Sequence, residues 1–225
     1  MHIEPGIVDG AKIVLSYATA SGAALFILKS ARAELRRRGP SSLMARSAIA
    51  TALVFSFFEI LPHYPVGVSE VHLILGSTLF LLFGAAPAAI GLAAGLLLQG
   101  MFFAPFDLPQ YGMNVTILLV PLFALQVIAS KVITPNTPYV DLKYRQALTL
   151  SAAYQGGIVS WVAFWALYGH GFTIENLLSI GSFGLAYMTV ILIEPLVDVM
   201  VLAAAKSARD MSRSGFFDAR LTSAK

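Results

Sequence analysis

Residues 67–104 read GVSEVHLILGSTLFLLFGAAPAAIGLAAGLLLQGMFFA, a stretch with no lysine or arginine and no charged side chain after Glu70. A helix needs about 20 apolar residues to cross a bilayer, so this run is too long for one span. Gly84-Ala85-Ala86-Pro87 divides it, because glycine ends a helix and proline starts one. The spacing predicts two helices, over 71–86 and 87–104, joined as a tight hairpin in which neither need cross the full membrane. One long helix kinked at Pro87 is the alternative.

Working outward with a window of about 19 residues, further apolar stretches fall at 10–29, 46–62, 113–133, 146–168 and 177–205. The chain of 225 residues is 57% hydrophobic and only 12% charged, with mean hydropathy +0.77. Apolar runs recur from end to end, which excludes a soluble domain carrying one anchor. The expected fold is an all-α polytopic membrane protein of about seven transmembrane helices. The absence of cysteine removes disulfides, thiolate metal sites and cysteine nucleophiles, so a transition-metal site would need nitrogen or oxygen donors. The first residues, MHIEPGIVDG, lack a basic n-region and are read as part of the mature chain.

The few charges are sorted. Lys29, Arg32, Arg36, Arg37, Arg38 and Arg46 lie between the first two helices; Lys131, Lys143 and Arg145 between the fifth and sixth; Lys206, Arg209, Arg213, Arg220 and Lys225 after the last. Only Lys12 falls elsewhere. Cytoplasmic loops are enriched in cations, so this pattern predicts an outer N-terminus and a cytoplasmic C-terminus. Residues 206–225 form the expected polar cytoplasmic tail. All four histidines, His2, His63, His72 and His170, then belong to the outer face, with Glu4, Asp9, Glu59, Glu70, Asp107 and Glu175. This layout suits capture of a cation from outside. The bland reading is that topology excludes cations from outer loops and other polar residues fill the space.

Met1-His2 offers an α-amine, a backbone nitrogen and an imidazole that can close a five- and a six-membered chelate ring on one ion. Such a planar nitrogen set favours Ni(II) or Cu(II), whereas Zn(II) gains nothing from planarity. A fourth donor is needed, and His72, at the start of the third helix, is the best candidate. Glu4-Pro5-Gly6 behind the pair reads as a rigid turn that aims the terminus back into the bundle.

These residues resemble a known family. MHIEPGIV is similar to the MHIPxG start of the CbiM/NikM-type S components, the substrate-binding membrane subunits of nickel and cobalt energy-coupling factor (ECF) transporters. The resemblance continues through HYPVG at 63–67, GVSEVHLILGSTLFLLFG at 67–84, the helix of Gln99, and GMN at 112–114. It implies that Met1, His2 and His72 hold the ion in a square-planar nitrogen set, within a single transmembrane metal-binding domain over 1–205. It implies Co(II) or Ni(II) as transported ligand, with no cofactor. The implied partners are a transmembrane coupling (T) subunit, ATPase subunits and a small accessory membrane subunit in the bacterial inner membrane, with no nucleic acid. The chain departs from the family's pattern in three places: Gly67 to His72 is one residue longer, Leu75-Gly76 keeps one glycine of a usual pair, and APFDLPQY at 104–111 replaces a glycine-rich loop.

His63 and Asn114 are candidates for supporting the ligands: His63 as a partner holding an outer loop, with an auxiliary ligand or an interfacial residue beside Tyr64 as the alternatives, and Asn114 as partner of a ligating imidazole or as a helix cap. His170 reads as a loop residue. Gln99 must find a partner inside the bundle. Glu194 and Asp198, one turn apart in the last helix, are costly inside a membrane and read as an interhelical or partner contact. Small residues four apart (Ala18 and Gly22, Ala20 and Ala24, Ala48 and Ala52, Gly91 and Gly95) permit close helix packing, or docking of a partner.

No P-loop motif occurs, so ATP-driven transport would need separate ATPase subunits, and the chain is not expected to be an enzyme. The alternative function is a self-contained secondary metal-ion transporter or channel lined by Glu194, Asp198 and Gln99. A membrane enzyme using His63 and His72 has no H-E-x-x-H pattern in its favour.

Overall fold

The computed structural model describes the backbone of residues 3–213 and the side chains of 3–209. Its architecture is all-α: α1 Ile13–Glu59, α2 Gly76–Phe83, α3 Ala85–Phe102, α4 Tyr111–Val132, α5 Tyr144–His170 and α6 Ile174–Arg213, with one small hairpin, β1 Tyr64–Val66 and β2 Ser69–Val71. Five of these helices are long and apolar enough to cross a membrane.

The expected first two helices are joined without a loop. Gly39, at φ 79 and ψ 169, breaks α1 into limbs 13–38 and 40–59. Pro40 cannot donate to the helix before it, and glycine alone tolerates the positive φ that turns the chain. Arg46 pairs with Glu34 across this break. Twelve residues of continuous helix would hold them about 18 Å apart, so the limbs fold back on each other. The basic residues expected in a loop thus sit on helical turns.

The expected third helix, 71–86, is shortened to Gly76–Phe83. Eight residues rise about 12 Å, too little to cross a bilayer. Of the lost residues, Val71 belongs to the hairpin, 72–75 form an irregular connection and Ala85 and Ala86 join α3; in the hairpin Tyr64 faces Val71 and Val66 faces Ser69. Gly67 makes its turn at φ 63, and a Cβ there would strike the Ser179 carbonyl. At Gly84, with φ 87, the chain leaves α2 and enters α3. The Nη1 of Arg46 donates to the Phe83 carbonyl at 2.6 Å, satisfying an acceptor at the end of α2.

The second limb of α1 runs parallel to α3, with Ala50 against Gly91 and Val54 against Gly95, where any added Cβ would clash. Close approach of backbones is the use of small residues between apolar helices. The buried stripe of that limb is Ser47, Ala50, Val54 and Phe58, whereas Ala48 and Ala52 point outward. Ala18, Gly22 and Ala24 are also exposed. The helix expected at 177–205 runs from Ile174 to Arg213, past the expected boundary of the tail; the remainder, 214–225, lies outside the described residues.

Two polar faces result. At one, Lys206 donates to the Leu142 carbonyl, Arg209 pairs with Asp141, Gln146 donates to the Val132 carbonyl, and Arg46 meets Glu34. At the other lie the N-terminal segment, the hairpin, a 3-10 turn over Pro105–Gln110 and the α5–α6 turn. Lys12 belongs here, donating to the Gly169 carbonyl at 2.6 Å. Between them the core is held by Trp165, Tyr154, Tyr187, Phe58 and Phe183.

Candidate metal centre

The site is built on the face away from the cations. Glu4-Pro5-Gly6-Ile7 forms the expected turn: the Ile7 N–H donates to the Glu4 carbonyl at 3.2 Å, with Gly6 at φ 91. Proline second and a positive-φ glycine third are the signature of a type II turn. The turn sends residues 3 and 4 back across the hairpin. Ile3 bridges Ser69 in antiparallel sense, and the Glu4 N–H donates to the Val68 carbonyl at 3.2 Å. Ile3 is fully buried, and Val8 nearly so.

Asn114 anchors this segment: its Oδ1 accepts the backbone N–H of Ile3 at 2.9 Å. No side chain caps the first turn of α4, so the Asn114 amide oxygen serves the N-terminal segment rather than its own helix. GMN at 112–114 is placed by close packing, since a Cβ on Gly112 would meet Ser16. His170 also contacts the turn, with Nε2 3.2 Å from the Gly6 carbonyl.

His72 is buried at 1% exposure, between β2 and α2. Continuing the register of the hairpin one step past Tyr64 and Val71 places His63 opposite His72. The rings are indeed stacked, 4.8 Å between centroids and 5° from parallel. Phe58 tilts against the His72 ring at 5.4 Å, and Glu70 Oε2 lies 3.5 Å from its Nε2. The structure therefore brings His72 and His63 together, with Asn114 one segment away behind Ile3. Met1 and His2 lie outside the described residues. Among the described residues no group of three or more histidine, aspartate or glutamate side chains gathers as a metal cluster.

The stretch after His72 is held from α6. Glu194 Oε1 accepts the N–H groups of Ile74 and of Leu75, the latter at 3.0 Å, and Oε2 accepts the side-chain amide of Gln155. Tyr187 in turn donates to Gln155 Oε1 at 2.6 Å. One turn on, Asp198 accepts the hydroxyls of Ser77, at 2.6 Å, and Thr78. The first turn of a helix has N–H groups without intrahelical partners and a positive end. Starting α2 inside the bundle exposes that end away from water, and two carboxylates answer it. The sequence marked Glu194 and Asp198 as costly; their partner, the broken end of α2, was not legible from a window average. On the cation-bearing side, Tyr139 in the turn before α5 is pushed up to about 12 by burial, with the negative charge of Asp198 adding to it. Gln99 is buried in α3, its Oε1 without a hydrogen-bond partner among the described residues.

Residues 2–211 match the CbiM family model, described as the cobalt uptake substrate-specific transmembrane region. The chain belongs to this family. It is thus a multi-pass membrane component of metal uptake. Two solved structures share the fold of this CbiM-family chain. One, titled a truncated transition metal transporter, is 18% identical with a TM-score of 0.67, covering 92% of this chain and 99% of that one. The other, titled a transition metal transporter, is 16% identical with a TM-score of 0.62, covering 96% and 95%. No curated protein matches the chain.

Proposed function

We propose that this chain is the substrate-capture membrane subunit of an ATP-driven importer for Co(II) or Ni(II), binding the ion at the outer face through Met1, His2 and His72. The reading is carried by the anchoring of Ile3 beside the His72 segment. Ile3 is the covalent neighbour of His2, and its backbone is held by Asn114 and by the bridge to Ser69. In that antiparallel bridge, moving back along the chain from Ile3 means moving in the direction of His72, three residues beyond Ser69. A terminus tethered in this sense supports a chelate closed by the His72 imidazole. The described residues supply no cluster of three donors by themselves, consistent with donors drawn from the first two residues.

A planar set of amine, amide and two imidazole nitrogens suits Ni(II), or Co(II) held by the same nitrogen donors. His63 stacks on His72 and orients its ring without donating to the ion. Transport inward then depends on a coupling subunit and ATPase subunits, because the chain has no phosphate-binding loop of its own. Nickel and cobalt titration of the purified chain, beside His72→Ala and beside a form lengthened by a few residues before Met1, tests the assignment. Both changes are expected to abolish tight binding. Native affinity in the His72→Ala form would refute the imidazole donor, and native affinity in the lengthened form would refute the amine.

A further inference from the structure

On the cation-bearing face, the first limb of α1 stands off from the turn between α2 and α3 and leaves a cavity of about 560 Å³. Its walls are of two kinds. Phe26 and Phe80 supply apolar surface, and Lys29, Arg37, Arg38 and Arg46 supply cations, with Glu34 as the one carboxylate. Phe26 precedes Arg37 by eleven residues, about 16 Å along the helix, so the apolar and cationic parts are separated by the depth of a lipid headgroup and its first acyl carbons. A second groove on the same limb, lined by Leu25, Leu28, Lys29, Arg32 and Arg36, shares Lys29 and repeats the order of leucines first and cations after.

Among the described residues the charge here is only partly compensated. Glu34 serves both Arg46 and Arg38, the latter at 3.5 Å, and Arg46 also donates to the Phe83 carbonyl. Lys29, Arg32, Arg36 and Arg37 have no carboxylate partner among the described residues. The limb is also poorly covered, since the most apolar window of α1 is only 11% buried, against 56% for α3. Leu25 and Leu28 are 67% and 53% exposed beside these cations. Cations grouped over exposed leucines at a helix end match an anionic headgroup with chains below it, and basic pockets between transmembrane helices are where such headgroups bind. A soluble acidic segment would satisfy the cations and leave the leucines and Phe26 uncovered.

We infer that this cavity and the groove beside it form one binding site for an anionic glycerophospholipid, with its phosphate held by Lys29, Arg37 and Arg38 and its acyl chains laid along Phe26 in the cavity and Leu25 and Leu28 in the groove. The inference is independent of the metal site. It is tested by titrating the purified full chain in neutral detergent with phosphatidylglycerol, phosphatidylcholine, inorganic phosphate or polyglutamate, reading binding and melting temperature. Saturable binding of phosphatidylglycerol, with a rise in melting temperature that phosphatidylcholine and phosphate do not give, is expected. Lys29→Ala and Arg37→Ala, both exposed positions, should each weaken it about fivefold, and phosphorus analysis should find less co-purifying anionic lipid in the double variant. Unchanged melting of the lipid-free variants shows that they fold. Equal binding of the two lipids, undiminished binding in the double variant, an equal effect of inorganic phosphate, or displacement of lipid by polyglutamate at lower concentration would each overturn the inference.

Discussion

Glu194 in α6 and Leu75 at the head of α2 are joined by a hydrogen bond of 3.0 Å from the Leu75 N–H to Oε1 of the carboxylate. The same oxygen takes the Ile74 N–H, so one side chain accepts two backbone donors of the segment after His72. A buried carboxylate is costly in an apolar interior, and donors converging on it offset that cost. The link ties the candidate metal segment to the last helix.

Replacing Glu194 with leucine strands both N–H groups. Each unsatisfied buried donor costs about 1–3 kcal/mol, so Glu194→Leu should destabilise the chain by about 2–6 kcal/mol. Glu194→Gln keeps an acceptor for the backbone but opposes two amide NH₂ groups at Gln155, and should fall between. Thermal unfolding in detergent ranks the three proteins; an order other than wild type, Gln, Leu would refute this account of the contact.

Leu75 adopts φ 55 and ψ 32, a left-handed conformation that costs a side-chain-bearing residue about 1–2 kcal/mol. Glycine relieves this while adding about 0.5–1 kcal/mol of backbone entropy in the unfolded chain. Leu75→Gly should therefore stabilise by up to about 1 kcal/mol, a rise of about 2–4 °C in melting temperature for a chain of this size. A lower melting temperature would mean that the Leu75 side chain contributes more than its backbone strain costs.

Gly76 has the opposite requirement. Its Cα faces the ring of Tyr154, and an added Cβ would overlap that ring, whose hydroxyl donates to the Leu118 carbonyl at 3.2 Å. Gly76→Ala should cost about 1–3 kcal/mol by overpacking, and the double variant with Tyr154→Phe should recover little, since the ring remains. Unfolding measurements on both variants check this.

Asn114 and His63 separate support from ligation. Removing the acceptor for Ile3 in Asn114→Ala frees the N-terminal segment and should weaken nickel or cobalt binding about tenfold or more, as loss of partners around metal ligands does. His63→Phe keeps a flat ring against His72 and removes both nitrogens. Affinity within about twofold of wild type is expected if His63 only orients its neighbour, whereas a loss matching that of His72→Ala would make it a ligand. Isothermal titration of the two variants reads both outcomes.

The amino-acid sequence by itself determined the class of this protein, the grouping of its cations on alternate connections, and the presence of a rigid turn behind the terminus. Each of these depends on local chemistry: apolar runs, charge exclusion from apolar surroundings, and the φ preferences of Pro5 and Gly6. The tertiary structure decided every feature that depends on contacts distant in the chain. Residues 71–75 pass for the start of a helix by hydropathy, and the pairing of 64–66 with 69–71, and of Ser69 with Ile3, keeps the chain extended as it reaches them. That pairing stacks His63 on His72 and leaves α2 to start inside the bundle, where its bare N–H groups require Glu194, 119 residues on from Leu75. The outward turn of Ala48 and Ala52, beside the buried Ala50 and Val54, likewise depends on which face meets Gly91 and Gly95. Spacing along one helix names its candidate faces; the partner across the bundle selects among them.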